Sequence, residues 1–448
     1  MVAKICLVLI FFGVAIGVGI YCRRSTSSVD GFVLGGRNVG PWLSAFAYGT
    51  SYFSAVVFVG YAGQFGWKYG LAAFWAGVGN ALFGMAFGLP YEVCVIAMAL
   101  ITCVYVVVGG YMATVVNDFL QGIVMLVGIV AVIAAVLGDN GGFMQAMTTL
   151  SQVDSGTGFQ GVFTSMFGPD PANLLGVVIL TSLGTWGLPQ MVQKFYAIKD
   201  GPAIKQGAIV STVFALVVAG GCYFLGGFGR LYADTIEYQA NGTPVYDSII
   251  PSMLSTLPDV LIGVVIVLVL SASMSTLAGL VINSSSTLTL DLLKGNVVKD
   301  MDEKRQVGWM RAFIVVFIVV SAGLALFQYH SSVAWIAQMM GISWGALAGS
   351  FLGPFVWGLY SGKISKAAVW ASFIVGVGLT TGNMIAGFFG CALIASPINC
   401  GAIAMVASLI IVPLVSLVTP SVPFDVKPPT RMGAIDREIA EEFAEAEK

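Results

Sequence analysis

Apolar runs long enough to cross a bilayer recur from one end of this chain to the other, and that repetition constrains the fold more than any single residue does. The hydrocarbon core of a bilayer is about 30 Å thick and an α-helix rises about 1.5 Å per residue, so a crossing takes roughly 20 apolar residues. Such segments lie near 2 to 22, 42 to 65, 70 to 89, 92 to 110, 119 to 138, 172 to 197 and 206 to 228, and again near 259 to 290, 309 to 329, 332 to 360, 367 to 389 and 398 to 419. That is twelve segments. Runs such as Val260 to Leu270 are apolar on every side, which excludes the period-two alternation of a membrane β-barrel and leaves helices. With 58% hydrophobic and 9% charged residues, against about 25% charged in soluble domains, an all-α polytopic membrane protein is expected.

Charge narrows the function. A net charge of −2 offers no basic patch for nucleic acid. The single histidine, His330, removes His-based triads and multi-His metal sites, and no enzyme is expected. The seven cysteines lie mostly in apolar segments without CxxC spacing and read as small packing residues; only Cys391 and Cys400 flank a turn where they can pair. Lys4 precedes the first segment whereas Arg23, Arg24 and Arg37 follow it, so its N-terminus is expected outside. Lysines 194, 199 and 205, the cluster from Lys294 to Arg311, and Lys363 with Lys366 mark cytoplasmic loops, while 139 to 171 and 229 to 258 read as outside. These assignments conflict: counted forward from Arg37, residue 89 ends inside, yet counted backward from 139, residue 92 starts outside. One segment between 70 and 110 does not cross, or a crossing is missing near Phe87 to Tyr91.

Three segments carry polar chemistry at membrane depth. Ser271, Ser275, Gly279, Asn283 and Thr287 recur every fourth residue and give one helix a small, polar face. That face suits water or an ion, or equally a packing seam with hydroxyls bonded to their own helix. Gly49-Thr-Ser-Tyr-Phe-Ser-Ala55 interrupts the second segment with glycine and hydroxyls; unwinding there would expose carbonyls able to hold Na⁺. In Thr181-Ser-Leu-Gly-Thr-Trp-Gly-Leu-Pro-Gln190 the glycines and Pro189 predict a kink, beside a cavity or within a plain helix. Asp118 reads as a solvated helix-start residue or as a group near an ion path. Residues 421–448 read as an acidic cytoplasmic tail, with Ile435, Ile439 and Phe443 at helical spacing, following a membrane domain over 1–420.

Four motifs occur in order: Phe32-Val-Leu-Gly-Gly-Arg37; Tyr105-Val-Val-Val-Gly-Gly-Tyr-Met-Ala113 with Asn117-Asp-Phe-Leu-Gln121; Trp186-Gly-Leu-Pro-Gln190; and Ala272-Ser-Met-Ser-Thr276. In these the chain resembles the sodium:solute symporter family, which includes sodium/proline and sodium/glucose transporters. The resemblance implies a LeuT-type inverted repeat of helices and sodium-coupled symport of a small organic solute, such as a carboxylate or amino acid, by alternating access. It implies a Na⁺ site at the hydroxyls of Ser275 and Thr276 and the carbonyls of Ala272, Thr50 and Phe53. It places solute contacts near Tyr52, Thr181, Thr185, Trp186 and Pro189, to which Gln338 is added from the segment facing them, and sets Asp118 near the ion path.

Two departures accompany the resemblance. Tyr52 stands where sodium/proline relatives carry a carboxylate, so proline is not the expected solute. A helix of the first repeat is absent at Gly88-Leu-Pro-Tyr91, the point where the charge assignments conflict, leaving the first repeat incomplete. The expected protein is therefore a multi-pass cell-membrane transporter, N-terminus outside and C-terminus cytoplasmic, with Na⁺, a small solute and lipid as partners and no obligate protein partner. The alternative is a sensor that binds Na⁺ or solute without transport, or a truncated, inactive transporter.

Overall fold

The computed structural model describes residues 2–52, 60–75, 91–239, 242, 244–255, 257–330, 336–361 and 364–420. Among them the chain is helical, with extended pairing limited to the isolated bridges Val39–Ile198 and Tyr238–Pro244. In chain order the helices are α1 (Val2–Cys22), α2 (Val29–Leu34), α3 (Pro41–Tyr52), α4 (Gly60–Tyr69), α5 (Tyr91–Asp139), α6 (Phe143–Gln152), α7 (Pro171–Gly187), α8 (Pro189–Tyr196), α9 (Gly201–Gly227) and α10 (Tyr246–Leu254). They are followed by α11 (Asp259–Thr287), α12 (Glu303–His330), α13 (Ile336–Ser361), α14 (Lys366–Phe388) and α15 (Pro397–Val418). Eight helices among the described residues are long and apolar enough to cross a membrane, and α7 with α8, bent by 45°, makes a ninth. Expected segments 42 to 65 and 70 to 89 run into residues outside the description, as do the junction at residues 88–90 and the tail at 421–448.

The expected segments 92 to 110 and 119 to 138 are joined in α5, whose 49 residues would reach about 73 Å if straight, more than twice a bilayer core. It is not straight. Gly110 adopts φ 55° and ψ −149°, a conformation that a Cβ makes costly, and the chain turns back there. Met98 and Val124 consequently pack into one cluster with Val8 and Phe11. Tyr105 and Gly109 lie against Gly19, while the Asn117 side chain donates to the Ala15 carbonyl at 3.3 Å. Two antiparallel crossings result.

Local chemistry explains the ends of several helices. Ser28 caps α2 by accepting from the Gly31 amide, and α2 stops at Gly35 (φ 62°), followed by Gly36 at φ 70°. Phe32-Val-Leu-Gly-Gly-Arg37 is thus a helix and its left-handed C-cap, tied down by Arg37 Nε donating to Asp30 at 3.2 Å. Asp170, Asp200, Ser365 and Ser396 cap α7, α9, α14 and α15 in the same way.

The loops sort into two ends. At the basic end the Lys199 amide donates to Val39 O at 3.3 Å, Arg311 donates to Thr26 Oγ1 at 3.1 Å, and Arg37, Lys294 and Lys299 line a common cavity of 650 Å³. At the opposite, acidic end Lys4 pairs with Asp259 at 2.9 Å and Asn140 donates to the Tyr232 hydroxyl at 2.8 Å. Residues 70–75 lie in the acidic half, against Phe163 and Gly227. Val95 starts the described side chains of α5 in that same half, one turn before Met98. The conflict between loop charges therefore has a geometric counterpart: the flanks of residues 76–90 lie on one side.

Candidate functional site

α3 and α11 meet through their polar residues. The hydroxyl of Ser275, fully buried, donates across the interface to the Thr50 carbonyl at 2.9 Å. At the next residue of α11, Thr276 Oγ1 donates to the Ala272 carbonyl one turn back at 3.0 Å. Thr50 places its own hydroxyl on Phe46 O at 2.8 Å, so its carbonyl is the group it turns toward α11. Ser271 and Ser51 have buried hydroxyl oxygens with no hydrogen-bond partner among the described residues, and Gly279 leaves the space that Ser51 faces. Ser271, Ser275 and Gly279 are thus the buried part of the four-residue stripe; it runs out at Thr287, which is exposed. This cluster of hydroxyl and carbonyl oxygens, two of them unpartnered, is the donor set a hard cation takes. Four of the five residues expected around an ion, Thr50, Ala272, Ser275 and Thr276, come together here; Phe53 lies outside the described residues. The interface is held from behind by the Tyr105 hydroxyl, which donates to Met274 O at 3.1 Å.

The expected solute residues are arranged differently. α7 ends at Gly187, and Leu188-Pro189 starts α8 at the 45° bend, where proline leaves no N–H to continue the helix. Thr181 is buried but bonds back to Val177 O at 2.9 Å; Thr185 bonds back to Ser182 O at 2.9 Å and faces the Tyr48 hydroxyl of α3. Trp186 is 55% exposed, and Pro189 is half-buried. The side chains of Tyr52 and Gln338 lie outside the description. Neither the 650 Å³ cavity at the basic end nor two cavities of 330 and 460 Å³ at the acidic end are lined by these residues.

Asp118 is corrected from a solvated helix start. It lies two turns past Gly110 inside α5, fully buried, and pairs with Lys194 of α8 at 3.1 Å; the two side chains are 1% and 3% exposed. Lys194 is likewise no loop cation. Its ammonium compensates a buried carboxylate that would otherwise cost several kcal/mol. Asp118 Oδ1 and both amide atoms of Gln121, one turn further, are buried without partners among the described residues. The sequence signal for this pair is only that a lysine follows the Pro189-Gln190 kink by one turn.

Comparison with known proteins adds to this geometry. A family model described as the sodium:solute symporter family matches residues 76–376. Similar proteins include the sodium/pantothenate symporter of Escherichia coli K12, 26% identical over 301 residues (66% of this chain, 59% of that protein). That of Haemophilus influenzae is 25% identical over 344 residues (75% and 64%). The sodium/proline symporter of Staphylococcus aureus is 22% identical over 452 residues, 83% of each. The matched region spans less than two thirds of the length of both pantothenate symporters. Among solved structures, a Na⁺-coupled sialic acid symporter in a substrate-bound outward-open state superposes with a TM-score of 0.72 at 14% identity, covering 94% of this chain and 99% of that one. That likeness shows the fold, a LeuT-type helix bundle.

Proposed function

The chain belongs to the sodium:solute symporter family, and from that membership we propose that it carries a small organic solute into the cell together with Na⁺ by alternating access. The observation that supports this reading best is the 2.9 Å contact between Ser275 Oγ and Thr50 O, which gathers hydroxyl and carbonyl oxygens from two helices at membrane depth. Na⁺ is held by the oxygens of Ser275, Thr276, Ala272 and Thr50, with the Phe53 carbonyl as the fifth. Bridging α3 to α11 favours one arrangement of the two helices, so Na⁺ binding biases the outward-open state that the solute then joins. Solute contacts come from Tyr52, Thr181, Thr185, Trp186, Pro189 and Gln338, and the Asp118–Lys194 pair lies on the inner side of the ion site. The acidic end faces outward, with the N-terminus, and the basic end faces the cytoplasm.

The energetics suffice. One Na⁺ entering down ~100 mV releases about 2.3 kcal/mol, and a tenfold gradient adds about 1.4 kcal/mol. Together they sustain a solute gradient of a few hundred-fold. The pantothenate symporters among the relatives make a small carboxylic acid the first solute to try.

A second reading, a protein that binds Na⁺ or solute without transporting, is favoured by one observation. The flanks of residues 76–90 share one side, and a stretch of that length is shorter than the pair of crossings that a complete first repeat would place between them. The alignment to the sodium/proline symporter, at 452 positions, exceeds the 448 residues of this chain while covering 83% of it, so that relative has residues this chain lacks. Uptake of labelled carboxylates and amino acids into proteoliposomes, with and without a Na⁺ gradient, separates the two. Na⁺-driven accumulation lost in Ser275→Ala/Thr276→Ala supports symport; Na⁺ binding without accumulation supports the second reading.

A further inference from the structure

Two adjoining chambers of 330 and 460 Å³ open at the acidic end between α4, the start of α7 and the start of α15. Lys68, Asn173, Ser396, Ile398 and Asn399 line both, and each chamber is of the size of a small-molecule site. The cations of this end have different fates. Lys4 is paired with Asp259 at 2.9 Å. Arg230 is stacked 4.2 Å from the Trp67 ring and 4.6 Å from the Phe163 ring, and donates to Trp67 O at 2.8 Å. Lys68 makes no ion pair among the described residues; its nearest aromatic partner is the Tyr246 ring, 5.2 Å from Nζ. Lys68 is exposed at the chamber wall; partial desolvation lowers its pKa and Asp170 raises it only in part.

The acid facing Lys68 is engaged elsewhere. Asp170 Oδ1 accepts from the Asn173 amide at 3.2 Å and Oδ2 from the Asn173 side chain at 2.6 Å, capping α7. Asn399 donates to Asn173 Oδ1 at 2.6 Å, and its own Oδ1 is buried without a partner among the described residues. Gly176 leaves the room that this oxygen occupies. The wall therefore offers one unpaired cation and the Ser396 hydroxyl, opposite a carboxylate that disfavours a second negative charge.

We propose that this cavity is an outer subsite for a monocarboxylate bearing hydroxyl or amide groups, its carboxylate held by Lys68 and its neutral groups by the Ser396 hydroxyl. The subsite rests on the symport reading only for its place on the route inward; binding there requires no transport. An ammonium–carboxylate contact concentrates the anion at the outer mouth before it passes toward the helix bend.

The test is protection of Lys68 from a membrane-impermeant amine-acylating reagent, read by mass spectrometry on the full-length protein in proteoliposomes. The probes are lactate, 3-hydroxybutyrate, gluconate and pantothenate, each beside its methyl ester, which removes only the charge. The expected result is that at least one acid slows Lys68 acylation about tenfold, equivalent to about 1.4 kcal/mol, while its ester does not and Lys4 is unaffected. Asn399→Asp, which adds a carboxylate to the wall, is expected to abolish that protection. If no acid slows Lys68 more than its ester does, the subsite is overturned. Protection without Na⁺-driven uptake would sink symport and leave the subsite standing; uptake without protection would do the reverse.

Discussion

The contact between α3 and α11 and the bend between α7 and α8 both bring hydroxyls to membrane depth, yet only the first ties one of them, Ser275, to a backbone carbonyl of another helix. Ser275 reaches across while Thr276 and Thr50 bond within their own helices; at the bend Thr181 and Thr185 both bond to carbonyls of their own helix, and Thr185 also faces Tyr48 of α3. A hydroxyl bonded across an interface fixes where two helices sit and responds when they move. One bonded within its helix stabilises little and can change partner at small cost. The first arrangement suits an ion that biases one state of a moving bundle; the second suits contacts made only when a solute arrives.

Ser275→Ala/Thr276→Ala removes two of five proposed oxygens and is expected to lower Na⁺ affinity by more than about a hundredfold, or about 2.7 kcal/mol, in a Na⁺ titration of uptake. Lys194→Gln leaves Asp118 buried and uncompensated, so a loss of about 3–5 kcal/mol in stability is expected. Adding Asp118→Asn should return most of it, as thermal unfolding in detergent would register. Thr181→Val and Thr185→Val should each raise the solute KM up to about tenfold and leave the Na⁺ midpoint in place. A shift of that midpoint would erase the distinction between the two regions. Smallest of all, Trp186→Phe at a 55% exposed position is expected to change stability by less than about 0.5 kcal/mol while still altering solute affinity.

The sequence carried the regions unequally. The polar stripe from Ser271 to Gly279 is legible because four-residue spacing puts these residues on one face, and their burial against α3 follows. The two crossings of α5 are legible as apolar segments; the turn at Gly110 is not, because Gly109 and Gly110 sit in an unbroken apolar run. Lys194 reads as a loop cation because a charge count cannot see Asp118, 76 residues away. The cavity of Lys68, Asn173 and Asn399 draws on three distant segments, and no local pattern announces it. Pairing across helices is decided by tertiary packing, which single-chain periodicity does not encode.

The most direct measurement is ²²Na⁺ binding to the purified protein, compared among wild type, Ser275→Ala/Thr276→Ala and Thr181→Val/Thr185→Val. The account predicts saturable binding that the first pair abolishes and the second leaves intact. Equal binding by all three, or loss in the second pair alone, would contradict it.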